Sequence, residues 1–320
     1  MLARLSQPVA IAVVALAVLA IPAAALLAQP ARGAFTIDES GEGFASLQDA
    51  LDAVGHASAT ITVAPGTYRQ CAVQQAGAVH IRAAEPGRAV FDGVACEGKA
   101  ALVLRGHSAK ITGITFRNIA VDDGNGAGIR LEQGDLKVSQ SWFADSQQGI
   151  LTGNDPAATI VIERSTFAGL GTCENSAGCA HSIYIGDYGA LQVVRNRFER
   201  GTGGHYVKAR AARVEIHDNS FDDSAGRTTN YMIDLPAGST GEITGNWFVQ
   251  GRDKENYSAF IAVGAEDRLH TSAGLAIAGN TARFVPGVRR SSAFVADWSG
   301  EKLRLGDNRM AAGITAFERR

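Results

Sequence analysis

The sequence predicts an all-β solenoid in which short strands stack coil upon coil as a parallel β-helix. Three observations predict it: a motif recurs at a nearly fixed interval, glycine is abundant, and the segments between motifs carry turn residues. The chain of 320 residues contains 37 glycines and has a formal net charge of −2. Abundant glycine suits a chain with many tight turns. The near-neutral charge excludes a strong electrostatic field for binding nucleic acid or a membrane surface.

The segment 1–34 is typical of a secretion signal. Arg4 supplies a positive charge, the stretch Pro8–Ala28 is apolar, and small residues continue to Ala34. This order predicts cleavage between Ala25 and Ala34, followed by one β-helix domain over 35–320. An uncleaved anchor is the alternative, because the apolar run is long enough to span a bilayer. In either case we expect a monomeric domain outside the cytoplasm, periplasmic or secreted. We expect it to contact the membrane only if the N-terminal segment is retained.

The cysteines fit an oxidising compartment. Cys71 and Cys96 are about one coil apart, so a disulfide between them would join adjacent coils. Cys173 and Cys179 flank a short loop that a second disulfide would close. Four free, buried thiols are the alternative.

One amphipathic helix precedes the first strand. Ser46 can cap a helix over 46–54, Asp49 completes a capping box, and Gly55 can end the helix. The segment Ile61–Tyr68 then predicts a strand that runs into a turn. A helix in this position predicts a cap over the open end of the solenoid core.

The recurring motif is an apolar residue followed, five positions later, by Phe. Its six copies are Ile111–Phe116, Val138–Phe143, Ile162–Phe167, Val193–Phe198, Ile216–Phe221 and Ile243–Phe248. Two weaker copies follow, Ile277–Ala282 and Leu305–Met310. Two residues before the Phe position lie Ser141, Ser165, Asn196, Asn219, Asn246, Asn280 and Asn308. Successive Phe residues are 23 to 31 positions apart.

Fixed-period similarity of this kind indicates a solenoid. The period is too short for a strand–helix–strand unit, and the Leu-x-x-Leu-x-Leu pattern of a leucine-rich horseshoe is absent. Stacking equivalent positions predicts a Phe row in the core and an Asn row at a turn. We expect each Asn to bond backbone groups there and to tolerate the left-handed conformation.

The Ile61–Tyr68 segment, the helix before it and the Asn-x-Phe turns resemble the pectate-lyase-like right-handed parallel β-helix superfamily. The resemblance covers about residues 35–310 and implies a right-handed fold. It implies no single activity, because the superfamily includes polysaccharide lyases, uronate epimerases, polygalacturonases, pectinesterases and members without a known activity.

The catalytic signatures of two branches are missing from the sequence. It has neither the pectinesterase Gly-x-x-Asp-Phe-Ile-Phe-Gly segment nor the polygalacturonase Asn-Thr-Asp segment. Gly204–His205 and Lys208–Arg210 resemble polygalacturonase elements in residue type but stand in a different arrangement. Asp122 and Asp123 lie in a Gly-rich stretch typical of a turn.

A column of residues outside the core carries the candidate chemistry. A strand about twelve residues before each Phe position alternates inward and outward side chains. The predicted outward residues are Arg130, Tyr184, Lys208, Asp234 and Ala262. Tyr184, Lys208 and Asp234 fall on consecutive coils, and Tyr206 and Arg210 are assigned to the same face. The alternative is an ordinary cross-strand pair between Lys208 and Asp234.

The histidines His181 and His205 hold equivalent places just before two of these strands and are expected to stack there. The predicted catalytic residues are Lys208, Arg210, Tyr184 and His205. The predicted substrate-binding residues are Arg130, Tyr206, Asp234 and His181. Glu266 and Asp267 follow the strand Ile261–Val263 and could reach this surface or bind Ca²⁺. They are weak candidates for a Ca²⁺ site, because two carboxylates alone do not supply the six to eight oxygen ligands that Ca²⁺ takes. No other cofactor is predicted.

These residues predict an enzyme that acts on an acidic polysaccharide by β-elimination, or an epimerase that shares the first step. Arg210 would neutralise a uronate carboxylate, Lys208 or Tyr184 would remove the C5 proton, and Tyr184 or His205 would protonate the departing oxygen. Arg210 would lower the pKa of Lys208 and Asp234 would raise it. A non-catalytic protein that organises envelope polysaccharide and a glycoside hydrolase are the alternatives.

Overall fold

The computed structural model describes residues 33–175 and 178–320. The predicted secretion signal therefore lies almost entirely outside the described residues, and its cleavage stays a prediction. Within the described residues, three sheets of 12, 10 and 10 strands run the length of the domain. No helix in these ranges is long and apolar enough to cross a membrane.

Each coil contributes one strand to each sheet in turn. Sheet 1 contains Phe35–Ile37, Gly43–Phe44, Ser58–Val63, Ala78–Ala83, Ser108–Thr112, Asp135–Ser139, Asp155–Glu163, Tyr188–Val194, Arg213–His217, Thr240–Thr244, Ala276–Ala278 and Arg304–Leu305. Sheet 2 contains Gly66–Tyr68, Ala89–Asp92, Ile114–Arg117, Trp142–Ala144, Thr166–Ala168, Arg197–Glu199, Ser220–Asp222, Trp247–Gln250, Thr281–Phe284 and Arg309–Met310. Sheet 3 contains Ala72–Gln74, Ala100–Leu104, Ala127–Leu131, Gln148–Thr152, Ile183–Ile185, Val207–Ala209, Ile233–Leu235, Ala259–Val263, Ser292–Asp297 and Ile314–Arg319. Strand pairs are parallel except where Phe35–Ile37 pairs with its two neighbours, so the predicted parallel β-helix is confirmed.

The helix spans Leu47–Val54. Ser46 Oγ accepts a hydrogen bond from the Asp49 amide at 3.1 Å, and the Gly55 amide donates to the Leu51 carbonyl at 3.0 Å. Its buried face packs against the first strands. Its role as the cap of the solenoid stays a prediction.

Both disulfides form with the predicted partners. Cys71 bonds to Cys96, and because each lies just before a strand of sheet 3 on adjacent coils, the bond joins those coils. Cys173 bonds to Cys179 and closes the short loop before His181.

The Phe row fills the core beneath sheet 2. Its rings stack from coil to coil with centroids 4.8–5.8 Å apart, from Phe91 to Phe248. The row begins with Phe91, one coil before the first copy found in the sequence. That coil was missed because the residue five positions before Phe91 is Pro86, where the other copies have Ile or Val. Stacked rings exclude water and hold adjacent coils in register.

The Asn row runs along the turn between sheets 1 and 2. Asn219 Oδ1 accepts from the Asn196 amide at 2.8 Å, and Asn219 Nδ2 donates to the Val193 carbonyl at 2.8 Å. The predicted bonds to backbone groups at the turn are therefore present. The left-handed conformation is adopted not by these Asn residues but by the residue before most of them, such as Arg195 at φ 54° and Asp218 at φ 58°.

Candidate functional site

Three consecutive strands of sheet 3 place Tyr184, Lys208 and Asp234 side by side. Tyr184 pairs in register with Lys208, and Lys208 pairs with Asp234. This register confirms the prediction that the three residues fall on consecutive coils. Arg130 lies in the same outer row, separated from Tyr184 by Leu151.

A second outer row lies three residues before the first. It contains His181, His205 and Tyr231. The ring centroids are 4.8 Å apart for the two histidines and 5.6 Å apart for His205 and Tyr231. The two histidines therefore stack at the strand entrance as expected. Tyr231 was missed, although it holds the same place, two residues before the strand that begins at Ile233, as the two histidines hold before theirs.

Tyr206 does not belong to this surface, and its assignment as a substrate-binding residue is wrong. Its side chain is 1 % exposed and packs edge-on against Phe198 and Phe221. Its hydroxyl donates to Asp223 Oδ1 at 2.8 Å. The chain turns a corner as it enters sheet 3, so Tyr206 and the next residue, Val207, both face inward. Strict alternation holds only within a strand.

The two cations of the site converge on one carboxylate from a later coil. Lys208 Nζ lies 2.7 Å from Glu266 Oε1, and Arg210 Nη2 contacts Glu266 Oε2. Arg210 Nε also donates to Tyr184 Oη at 3.2 Å, and Lys208 Nζ lies 5.7 Å from the centre of the Tyr184 ring. Tyr184, Lys208, Arg210 and Glu266 thus form one connected cluster.

Asp234 lies beneath this cluster. Its Oδ2 is 3.5 Å from Lys208 Nζ and 3.7 Å from His205 Nε2, and its side chain is 4 % exposed. Among the described residues its Oδ1 has no hydrogen-bond partner. Burial raises the pKa of Asp234 to about 6, although Lys208 opposes this shift. Because it is covered, Asp234 can position Lys208 but cannot contact a substrate directly.

Lys208 remains a cation at neutral pH. Burial lowers its pKa, but the nearby carboxylates of Asp234 and Glu266 outweigh burial and raise the pKa above the ordinary value. The expected lowering by Arg210 is therefore overcome, because Glu266 lies between the two cations. A protonated lysine can hold an anion but cannot accept a proton.

The stacked histidines are neutral. Burial lowers the pKa of His181 to about 3 and holds the pKa of His205 well below its ordinary value. The His205 backbone amide donates to His181 Nδ1 at 3.0 Å, which fixes that nitrogen as an acceptor. A neutral imidazole here can relay a proton without adding positive charge beside Lys208.

Comparison with known proteins gives the family. The model of the right-handed β-helix region matches residues 100–282, which is more than half of the chain. The chain belongs to this family. A comparison with curated protein sequences finds no match.

Two solved structures share the fold of this β-helix. An alginate lyase from Paenibacillus sp. str. FPU-7 is 16 % identical with a TM-score of 0.62, over 85 % of this chain and 94 % of the lyase. The ORF18 protein of Geobacillus virus E2 is 12 % identical with a TM-score of 0.52, over 85 % of this chain and 57 % of the viral chain. At these identities the similarity shows the fold alone.

The β-helix offers little for a metal ion at the predicted Ca²⁺ position. Within 33–175 and 178–320 there is no group of three or more His, Cys, Asp or Glu residues arranged to hold one. Glu266 is bound to Lys208 and Arg210, so its oxygens are already neutralised by cations. A Ca²⁺ site at Glu266 and Asp267 is not supported by this arrangement.

A polar groove of about 720 Å³ lies elsewhere, at the turns between sheets 2 and 3. It is lined by residues including Asn118, Asp145, Gln147, Thr172 and Arg227. No predicted site residue lines this groove. The candidate site is instead an open patch on the outer face of sheet 3.

Proposed function

We propose that this β-helix is an exported enzyme that removes the C5 proton of a uronate residue in an acidic polysaccharide, as a β-eliminating lyase or a C5-epimerase. The observation that carries the proposal is the convergence of Lys208 and Arg210 on a single carboxylate beside the hydroxyl of Tyr184. Two disulfides within a parallel β-helix support export.

Neutralising the substrate carboxylate is the central requirement of this chemistry. A proton next to a carboxylate is weakly acidic, because removing it places a second negative charge on the same group. Lys208 and Arg210 would hold the uronate carboxylate where they now hold Glu266. Their charges would stabilise the enolate-like intermediate as it forms.

Tyr184 is the residue best placed to accept the C5 proton. In this step the Tyr184 side chain acts as the phenolate, whose charge the adjacent Arg210 guanidinium would stabilise, whereas Lys208 is protonated in the free protein. Electrons from the broken C–H bond form the C4–C5 double bond as the C4–oxygen bond breaks. Tyr184 then gives the proton that it accepted to the departing oxygen, either directly or by relay through neutral His205. In an epimerase the proton returns to C5 from the opposite face.

The remaining predicted residues would support binding. Asp234 positions Lys208 from below, and His181 holds His205 through its backbone amide. Arg130, two coils from Tyr184, would contact a neighbouring sugar on the same face. The fold shared with an alginate lyase is consistent with a uronate polymer as the substrate.

The test is a panel of uronic-acid polymers, monitored by the ultraviolet absorbance of unsaturated products. We expect product from at least one polymer. The Lys208→Met variant should lose about 100-fold or more of this activity, as for other groups that stabilise a developing charge. Lys137→Met is the matched control, because Lys137 pairs with Glu163 on sheet 1 at 3.3 Å.

Other outcomes assign other functions. Deuterium uptake at C5 from heavy water without chain cleavage would identify an epimerase. New reducing ends without ultraviolet absorbance would identify a hydrolase and overturn the proposal. Binding without any turnover across the panel would favour a non-catalytic polysaccharide-binding protein.

A further inference from the structure

Glu266 reaches the site from a connection, not from a strand of the site. It belongs to the segment 264–275, which joins the strand Ala259–Val263 of sheet 3 to the strand Ala276–Ala278 of sheet 1. The Glu266 amide donates to the Pro236 carbonyl at 3.0 Å. Further along, His270 Nε2 lies 2.9 Å from Asp187 Oδ1. The segment therefore lies across the coils that carry Lys208 and Asp234.

Glu266 binds the cations from the solvent side. Its side chain is 42 % exposed, whereas those of Lys208 and Arg210 are 12 % and 22 % exposed. The carboxylate can therefore leave without any movement of the coils beneath it. The cations cannot follow it, because they are held by the strand and by Asp234 and Tyr184.

Each oxygen of Glu266 meets a different cation. Oε1 contacts Lys208 and Oε2 contacts Arg210, which is how a planar carboxylate is held by two donors. Another carboxylate could replace it with the same contacts. A neutral hydroxyl could not, because it would leave Arg210 without a counter-charge and Lys208 with Asp234 alone.

We propose that Glu266 is an internal ligand of the substrate-carboxylate subsite, which occupies the place between Lys208 and Arg210 until the carboxylate of an acidic sugar displaces it. The proposal rests on the proposed function for the identity of the substrate. The substrate carboxylate displaces Glu266 and takes its place between Lys208 and Arg210. A neutral sugar cannot compete with Glu266 for this position.

The first experiment needs no substrate and uses acetate as the carboxylate probe. Acetate should raise the Tm of Glu266→Gln and Glu266→Ala variants above any effect on the wild type, because ligands stabilise the state that binds them. The rise should disappear when Lys208→Met is added. Glu242→Gln, an exposed glutamate on sheet 1, is the control for the charge change. An equal acetate response in all variants would overturn the proposal.

The second experiment measures selectivity with matched acidic and neutral oligosaccharides. Removing Glu266 should tighten binding of the acidic oligosaccharide roughly tenfold, the equivalent of one modest ionic contact. A neutral oligosaccharide, which does not take the place of Glu266, should gain much less affinity, so the preference for the acidic ligand should widen. Unchanged affinities in an active enzyme would overturn the inference and leave the proposed function intact. If acetate raises the Tm of the Glu266 variants as expected but no polymer is a substrate, the proposed function is overturned and the inference that Glu266 occupies an anion subsite stands.

Discussion

The interior and the outer face of this solenoid follow opposite rules. Inside, the same residue type recurs on coil after coil, as in the rows of Phe198 and Asn219. On the outer face of sheet 3 the residue changes at every coil, from Tyr184 to Lys208 to Asp234. Repetition inside lets each coil dock on the next, and variation outside is free to build a site.

The outer face itself is divided in the same way. Toward the N-terminus its rows are apolar, with Ala100, Val103 and Ala127 packed together. Toward the C-terminus they are again apolar, with Ala259 and Ala293. The charged and aromatic residues are concentrated on the coils between. Substitutions inside should therefore change stability, and substitutions on those middle coils should change function.

The largest expected effect is on an interior ring. Phe198 is fully buried and stacks on Phe167 and Phe221 with centroids 4.9 and 4.8 Å away. Phe198→Ala should lower the free energy of unfolding by about 3–5 kcal/mol, because it leaves a cavity between coils. Urea denaturation measures this loss in the free energy of unfolding. Trp142→Ala, at an outward aromatic residue of the same sheet that is 38 % exposed, should cost far less, and equal losses would contradict the inner–outer distinction.

The Asn row should show the next largest effect. Asn219→Ala leaves the Asn196 amide and the Val193 carbonyl without their buried partner. A loss of roughly 2–4 kcal/mol is expected from two unsatisfied groups. Asn219→Ser should lose less, since Ser141 and Ser165 hold this position on earlier coils and still accept from the neighbouring amide. A serine variant as unstable as the alanine variant would contradict this account.

Asp234 breaks the simple contrast, because it is both on the outer face and buried. Its pKa is about 6 in the folded protein against 3.8 ordinarily, so the folded state binds the proton more tightly than the unfolded state. Its contribution to stability is therefore fully present below about pH 3.8 and is lost as the pH rises through about 6. The change is up to about 3 kcal/mol.

Comparison with Asp234→Asn isolates this contribution. The free energy of unfolding of the wild type, minus that of the variant, should fall between pH 4 and pH 7. The other carboxylates titrate in both proteins, so their contributions to the free energy of unfolding cancel in this difference. A difference that is flat or rises over this range would show that Lys208 holds Asp234 ionised throughout.

The smallest expected effect comes from a pair of tyrosines that separates the two regions. Tyr206→Phe removes a buried hydrogen bond to Asp223 and should destabilise the fold by about 1–2 kcal/mol. Tyr184→Phe should leave stability nearly unchanged and abolish most of the activity on a uronate polymer. Thermal unfolding and the ultraviolet assay measure both variants. If Tyr184→Phe lost stability and Tyr206→Phe lost activity instead, the assignment of Tyr184 to the site and of Tyr206 to the core would be wrong.

The sequence was sufficient to predict the features that repeat from coil to coil. The Phe and Asn positions recur at one offset, so the strands, their register and the Tyr184–Lys208–Asp234 row could all be predicted. Tyr206 was placed wrongly because a corner changes side-chain direction without changing the residue pattern. The pairing of Glu266 with Lys208 could not be foreseen, because a connection of irregular length brings it back across two coils.

A face on which successive coils carry different residues has a polarity along the solenoid axis. A polymer that lies along the solenoid axis would pass the Tyr184 coil before the Lys208 coil, or the reverse, and the two orientations are chemically inequivalent. A uniform ladder, such as the stacked rings of the interior, could not tell the reducing end of a sugar chain from the other. In the proposed enzyme, the order of Tyr184 and Lys208 along the axis would therefore distinguish the two directions of a bound sugar chain.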